Sequence, residues 1–281
     1  CTIVGYGLSA PAFLWLFVTV ILPLTMMLFF SFMDKMPMGN VEASFSLKQY
    51  ATFFQRDFYQ FLTYRSLMLG VYVTLFCVLI GYPAAYILSR IVTGRWREAI
   101  LLLVVLPFWS NALIRIFAWT MVLRTDGLVE HVVHFIWPGA PAFNILYSYP
   151  AIVIGLVHSF VPYMILTCYI SLQAIDDSLV EAGQSLGGSS WTVFRKIIVP
   201  LSLPGLLVGV LLIFIPVVGA FMEPRILGGR DGIMLGTVIE DQFTEVFNWP
   251  LGAALSFILL GLLALIFAIT YPLLRKRLKI A

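Results

Sequence analysis

Charge is what this sequence has least of. Asp, Glu, Lys and Arg make up 11% of its 281 residues, against roughly 25% in a soluble domain, which excludes a soluble globular protein. Cysteine is scarce as well. Cys1, Cys77 and Cys168 are scattered without the spacing of a disulfide framework or a thiolate metal site, and read as small apolar packing residues. The phosphate-cradling loop G-x-x-x-x-G-K-[ST] and the zinc-binding H-E-x-x-H are missing. The chain therefore has no apparatus of its own for nucleotide, and no catalytic residue is expected. His131 and His134 stand i, i+3 without a third ligand, so no metal is expected either. No basic stripe interleaved with aromatics points to nucleic acid. Low-complexity segments, internal repeats and domain linkers are absent, and residues 1–281 read as a single membrane domain.

What is there is apolar. Hydrophobic residues make up 61% of the chain, gathered into six runs long enough for the roughly 20 residues that a helix needs to cross a bilayer. They are residues 11–33, 67–88, 99–123, 150–172, 201–222 and 251–274. None shows the period-2 alternation of a membrane barrel. The expected fold is all-α with six transmembrane helices. The first run is too long for a signal peptide and lacks a clear cleavage site, so it reads as a true span. The sequence begins at Cys1 rather than Met, and residues upstream of it are expected.

Basic residues set the orientation. The 2–3 connection carries Arg90, Arg95 and Arg97, the 4–5 connection Arg195 and Lys196, and the tail Arg275, Lys276, Arg277 and Lys279. That side has nine basic residues against four acidic ones, the opposite side seven against ten. The basic side, with both termini, is expected in the cytoplasm. On the other side, Asp34 to Ser66 holds Pro37, Gly39 and many aromatics, and is expected to include a short amphipathic surface helix. The acidic connection from Glu223 to Pro250 lies on the same side.

The 4–5 connection, residues 173–200, is too long and too patterned for a simple turn. Asp177 or Ser178 is suited to cap a short helix on which Leu179, Ala182, Gly183 and Leu186 share a face. Gly187 and Gly188 would end it. Ser189 or Ser190 would cap a second helix through Val199, with Pro200 opening the next span. The small residues Ala182 and Gly183 would let another protein approach closely; the bland alternative is an amphipathic linker on lipid headgroups.

The stretch "VEAGQSLGGSSWTVFRKIIVPLSLPG" resembles the coupling loop of ATP-binding-cassette importer permeases, with its pattern E-A-A-x3-G-x9-I-x-L-P. Glu181, Ala182 and Gly183 fall on E-A-A, Gly187 on G, Ile197 on I, and Val199–Pro200 on L-P. Gly183 departs from the third alanine, with an expected loosening of about 1 kcal/mol, because glycine is the poorer helix former. The resemblance implies a MetI-like permease fold in a bacterial cytoplasmic membrane, with this loop docked into an ATPase subunit. It also implies the partners: a second permease, two ATP-binding subunits that hold ATP and Mg, and an extracytoplasmic substrate-binding protein. No cofactor is implied in this chain. "GYPAAYIL", "LPFWSNALIRIFAW", "ILGGRDGIMLG" and "NWPLGAALS" are similar to the spermidine/putrescine branch, and to its first permease type. Relatives in that branch carry opines, phosphonates or metal cations. A membrane enzyme and an ion-driven secondary transporter are the competing classes, the latter expected to show inverted halves and intramembrane acidic groups.

A path for a polyamine needs negative charge and aromatic faces. Glu223, at the outer end of the fifth span, is the first candidate, followed by Trp109, Asn111 and Tyr163. For each there is a plainer reading: a hydrated or Arg225-paired loop carboxylate, an interfacial anchor, and helix-packing polar groups. Arg115 inside the third span would repel a cation, and is assigned a structural or gating role, with a carboxylate of the second permease as a candidate partner. Gly209, Pro216 and Gly219 are expected to interrupt the fifth span, where Pro216 and Gly219 could serve as a gate or only as a kink. His158 is expected to hydrogen-bond a neighbouring helix.

Overall fold

The long apolar runs have one way to satisfy their backbone polar groups in lipid, and that is the helix. In the structure, a computed structural model describing residue 11 and residues 14–35, 44–139 and 144–278, they are mostly helical among the described residues. Pro37, Gly39 and Lys279 lie outside the described residues. In chain order the helices are α1 (Leu14–Ser31), α2 (Lys48–Gln55), α3 (Asp57–Arg90), α4 (Arg95–Val105), α5 (Ala112–Leu123) and α6 (Leu128–Ile136). They continue with α7 (Tyr149–Gln173), α8 (Asp177–Ser185), α9 (Ser190–Val218), α10 (Met222–Leu227), α11 (Leu235–Thr244) and α12 (Trp249–Leu278).

Five of these, α1, α3, α7, α9 and α12, are each long and apolar enough to cross a bilayer. The third expected span differs. Residues 99–123 are not one helix: α4 runs into a 3-10 turn, Leu106–Trp109, the chain breaks at Ser110–Asn111, and the two halves meet at 98°. Pro107 fixes its own φ and removes a donor at the turn. Asn111 then caps α5, its Oδ1 accepting the Leu113 N–H at 2.8 Å. The second span begins earlier than expected, at Asp57. At 1.5 Å per residue α3 is about 50 Å long, well beyond a bilayer core.

The chain falls into two compact units. The first, Cys1–Thr63 with Val238–Leu265, contains the expected short helix α2. Within it the Tyr50 hydroxyl donates to Ser31 Oγ at 2.8 Å, Lys48 pairs with Asp34 at 2.9 Å, and Phe30 meets Trp249 edge-on at 6.1 Å.

The second unit, Tyr64–Thr237 with Ile266–Ala281, is built around α3, α7 and α9. Leu69, Val73 and Cys77 of α3, Leu156, Met164 and Cys168 of α7, and Ile213 and Val217 of α9 form its buried core. Lipid tails are as apolar as leucine, so membrane helices associate through close approach rather than through apolar burial. Gly205 and Gly209, four residues apart on α9, supply that approach. A Cβ on Gly205 would stand 2.4 Å from Ser171 Cβ and 2.5 Å from the Thr167 carbonyl oxygen, and one on Gly209 would stand 2.6 Å from Thr167 Oγ1. The interruption expected at Gly209 does not occur. Instead the helix runs unbroken through it and through Pro216 to Val218, because an interface with α7 needs a residue without a side chain there. Gly219 is the residue that follows the helix end.

Candidate functional site

The segment between α7 and α9 forms the helix–glycine–helix that its pattern predicts, with a different first cap. Asp176, not Asp177 or Ser178, is the N-cap of α8: its Oδ1 accepts the Ser178 N–H at 2.9 Å, and this hydrogen bonding holds its carboxyl below the usual carboxylate range. At the other end Leu186 is the C-cap. The Gly187 N–H donates to the Gln184 carbonyl at 2.9 Å and the Gly188 N–H to the Gly183 carbonyl at 3.1 Å. This is the paired 5→2 and 6→1 closure of a helix end, which requires a left-handed residue in the middle. Gly187 has φ +84°, and the motif glycine is thereby explained.

The next helix starts at Ser189, whose Oγ accepts the Thr192 N–H at 3.3 Å. It does not stop at Val199. A single π-helical turn, Phe194–Ile198, carries it directly into the fifth span. Pro200 has no N–H for the carbonyl four residues back, and its ring crowds that carbonyl. A π turn widens the ladder by one residue where such a conflict arises.

Gly183 points the opposite way from the expectation. A Cβ there would stand 2.6 Å from Ile197 Cδ1 and 3.3 Å from Val193 Cγ2. The glycine therefore seats α8 against α9, and the departure from alanine tightens the pair rather than loosening it. The face left outward consists of Leu179, Ala182 and Leu186, with Glu181 beside them and Leu186 90% exposed. Ile197 faces inward against the core of the second unit.

The proposed path residues gather around the break in the third span. Trp109 ends the 3-10 turn and is 87% exposed. Tyr163 of α7 meets the Phe108 ring edge-on at 4.6 Å. Phe108 went unnoticed in the sequence because nothing local separates it from its apolar neighbours. Asn111 spends its carbonyl oxygen on the α5 cap, so its side chain shapes the break. Arg115 Nη1 donates to the Pro107 carbonyl at 2.6 Å, which ties the first turn of α5 back across the break. Its Nε is buried without a hydrogen-bond partner.

Glu223 sits in α10, a separate short helix beyond the end of α9. Burial raises its carboxyl above the ordinary carboxylate range, opposed by the N-terminal backbone of α10 and by the Arg115 charge. That opposition places the carboxylate within electrostatic reach of the broken span. His158 differs from its expectation: its Nδ1 is buried without a hydrogen-bond partner, and the ring meets Trp119 edge-on at 5.4 Å. No group of three metal-ligating side chains occurs among the described residues.

Five long apolar helices, a sixth span if the bent pair is counted as one, and a helix–glycine–helix between the fourth and fifth spans define the class. The chain belongs to the family of binding-protein-dependent transport system inner membrane components, which matches residues 77–280. It is an ABC importer permease with a MetI-like, all-helical fold. Among individual proteins it is similar to the spermidine/putrescine transport system permease protein PotB of Salmonella typhimurium (strain SL1344), 34% identical over 268 residues, 94% of this chain and 92% of that one. PotB of Escherichia coli (strain K12) is 33% identical over 271 residues, 95% of this chain and 97% of the relative. The fold is shared with a bacterial ABC transporter that imports the acidic polysaccharide alginate: TM-score 0.76 at 16% identity, covering 97% of this chain and 95% of that one.

Proposed function

We propose that this chain is one of two permease subunits of an ATP-driven importer and forms, with the second, the path for polyamines such as spermidine and putrescine. The observation that carries the reading is the segment 176–200, a capped helix closed by left-handed Gly187 and seated by Gly183, in a chain one-third identical to PotB along nearly its whole length. The outward Leu179–Ala182–Leu186 face, with Glu181 at its edge, is suited to a cleft in an ATP-binding subunit; two such subunits would hold ATP and Mg. A substrate-binding protein on the opposite side delivers the polyamine. A related alginate transporter has been seen in complex with its pentasaccharide-bound periplasmic protein.

In this reading the segment 173–200, the 2–3 connection and both termini face the cytoplasm. Ser185 is exposed at the end of α8. A cysteine placed there is expected to resist an impermeant thiol reagent applied to intact cells and to react in inverted vesicles. Labelling from outside would reverse the orientation.

The path takes its charge from Glu223 and its aromatic lining from Trp109 and Tyr163, with Asn111 and Arg115 holding the broken span. Pro216 and Gly219, at the end of α9, form the hinge of the gate. The test is uptake of radiolabelled spermidine by vesicles containing both permeases, the ATPase and the binding protein. Glu223→Gln keeps the shape and removes the charge, so uptake should fall by roughly fivefold while ATP hydrolysis persists, as expected for losing a Coulomb attraction in a partly dry cleft. Because burial raises its pKa, Glu223 takes up a proton at a higher pH than a free carboxylate would. Wild-type uptake should therefore decline as the outside pH is lowered, starting at a higher pH than a free carboxylate would set, and the Glu223→Gln profile should be flatter. Equal uptake by variant and wild type would remove Glu223 from the path.

A further inference from the structure

Arg90 is the last residue of α3, and its guanidinium does not face solvent as a topology-setting charge would. The side chain is 16% exposed. Nη2 donates to the carbonyl oxygens of Leu172 and Ile175, both at 2.9 Å, at the end of α7 and just beyond it. Nη1 donates to Asp177 Oδ1 in the first turn of α8. One planar fork thus joins three elements: the end of the second span, the end of the fourth, and the start of the docking helix. A helix C-terminus leaves its last carbonyls without partners, and a cation there satisfies both the hydrogen bonds and the dipole. Leu172 and Ile175 are buried residues, so water is poorly placed to replace the guanidinium.

The joint is reciprocal. Gln173, the last residue of α7, donates through Nε2 to the Ser89 carbonyl of α3 at 3.3 Å. Arg97 donates to the Val92 carbonyl at 2.9 Å and to Ser89 at 3.4 Å. The ends of α3 and α7 therefore cap each other, and Arg90 is the one side chain of this group that also reaches α8. Asp177, its partner there, is 82% exposed. The Arg90–Asp177 contact is accordingly the removable part of the joint, and the carbonyl caps are the fixed part.

We propose that Arg90 is a positioning residue that makes the docking helix move with α3 and α7, so that displacement of α8 by the ATPase is passed to two spans at once. A helix seated only on Gly183 and hinged at Gly187 has α9 as its single support; the Arg90 fork adds the second and third. This inference rests on the importer reading above, because it supposes that α8 is the element the ATPase moves.

The experiment uses the complete importer in vesicles and records spermidine uptake and ATP hydrolysis in the same samples. Asp177→Asn removes the charge at the exposed end and leaves both carbonyl caps in place. Uptake per ATP is expected to fall about three- to tenfold, in the range of coupling changes seen for residues that link sites, with complex yield and thermal midpoint near wild type. Asp177→Glu should restore most of the ratio. Arg90→Lys keeps a charge but cannot span three acceptors from one planar fork, and should show the same reduced ratio. A wild-type ratio in Asp177→Asn would overturn the proposal while leaving the importer reading standing. So would a variant whose uptake and hydrolysis fall in proportion together with its yield, since that marks a purely structural contact. Wild-type vesicles with no ATP-dependent uptake would overturn both.

Discussion

Valine in place of Gly187 should abolish ATP-driven import while leaving the permease in the membrane. The residue sits at φ +84° with open space around it, so the penalty is conformational and not steric. A β-branched residue is strained in the left-handed region by about 1–3 kcal/mol. The two hydrogen bonds that close α8, from Gly187 to Gln184 and from Gly188 to Gly183, both depend on that conformation. If Gly187→Val escapes the strain by leaving it, the end of α8 unravels and Leu186 leaves the docking face. The expected result is an assembled permease pair with ATPase activity detached from spermidine uptake, or an ATPase that no longer co-purifies. Gly187→Asn, which tolerates the left-handed region better, should retain part of the activity. Normal uptake by Gly187→Val would mean that the helix end is not part of the coupling.

A larger loss is expected from Gly205→Leu. Here the obstacle is backbone: the Thr167 carbonyl oxygen lies 2.5 Å from the position that a Cβ would occupy, beside Ser171 Cβ at 2.4 Å. No side-chain rotation can clear it, so α9 must move away from α7. Overpacking of this kind costs about 1–3 kcal/mol in a core that can shift. The shift here would also undo the Gly209 contact and the Ser171-to-Ser202 hydrogen bond at 3.3 Å. The variant should be recovered at a small fraction of the wild-type amount, and what remains should unfold at lower temperature in detergent. Gly205→Ala should be intermediate. Wild-type yield and melting for Gly205→Leu would show that α7 and α9 do not approach this closely.

The two glycines act by different physics, and only one of them is legible from its neighbourhood in the chain. Gly187 follows a capped helix of the right length and precedes a serine that can start another, so a left-handed closure is a local deduction. Gly205 and Gly209 carry a small-x-x-x-small spacing on one helix face, and the sequence does contain that signal. It does not say which helix lies opposite.

Composition and periodicity alone determined that the chain is helical and embedded in a membrane, where the apolar runs lie, and that a patterned segment separates the fourth from the fifth. Those conclusions depend on hydrophobic length and on capping preferences, which act within a few residues. Only the tertiary structure decided the rest. It broke the third span at Ser110–Asn111 and assigned Asn111 to a cap. Gly183 was turned toward Ile197, and the His158 ring was left facing Trp119 with its Nδ1 unpartnered. The guanidinium of Arg90 was brought to carbonyls more than eighty positions away. Each of these is set by which helix packs against which. Whatever pattern a contact between distant parts of a chain leaves in the residues beside it, that pattern does not name the partner.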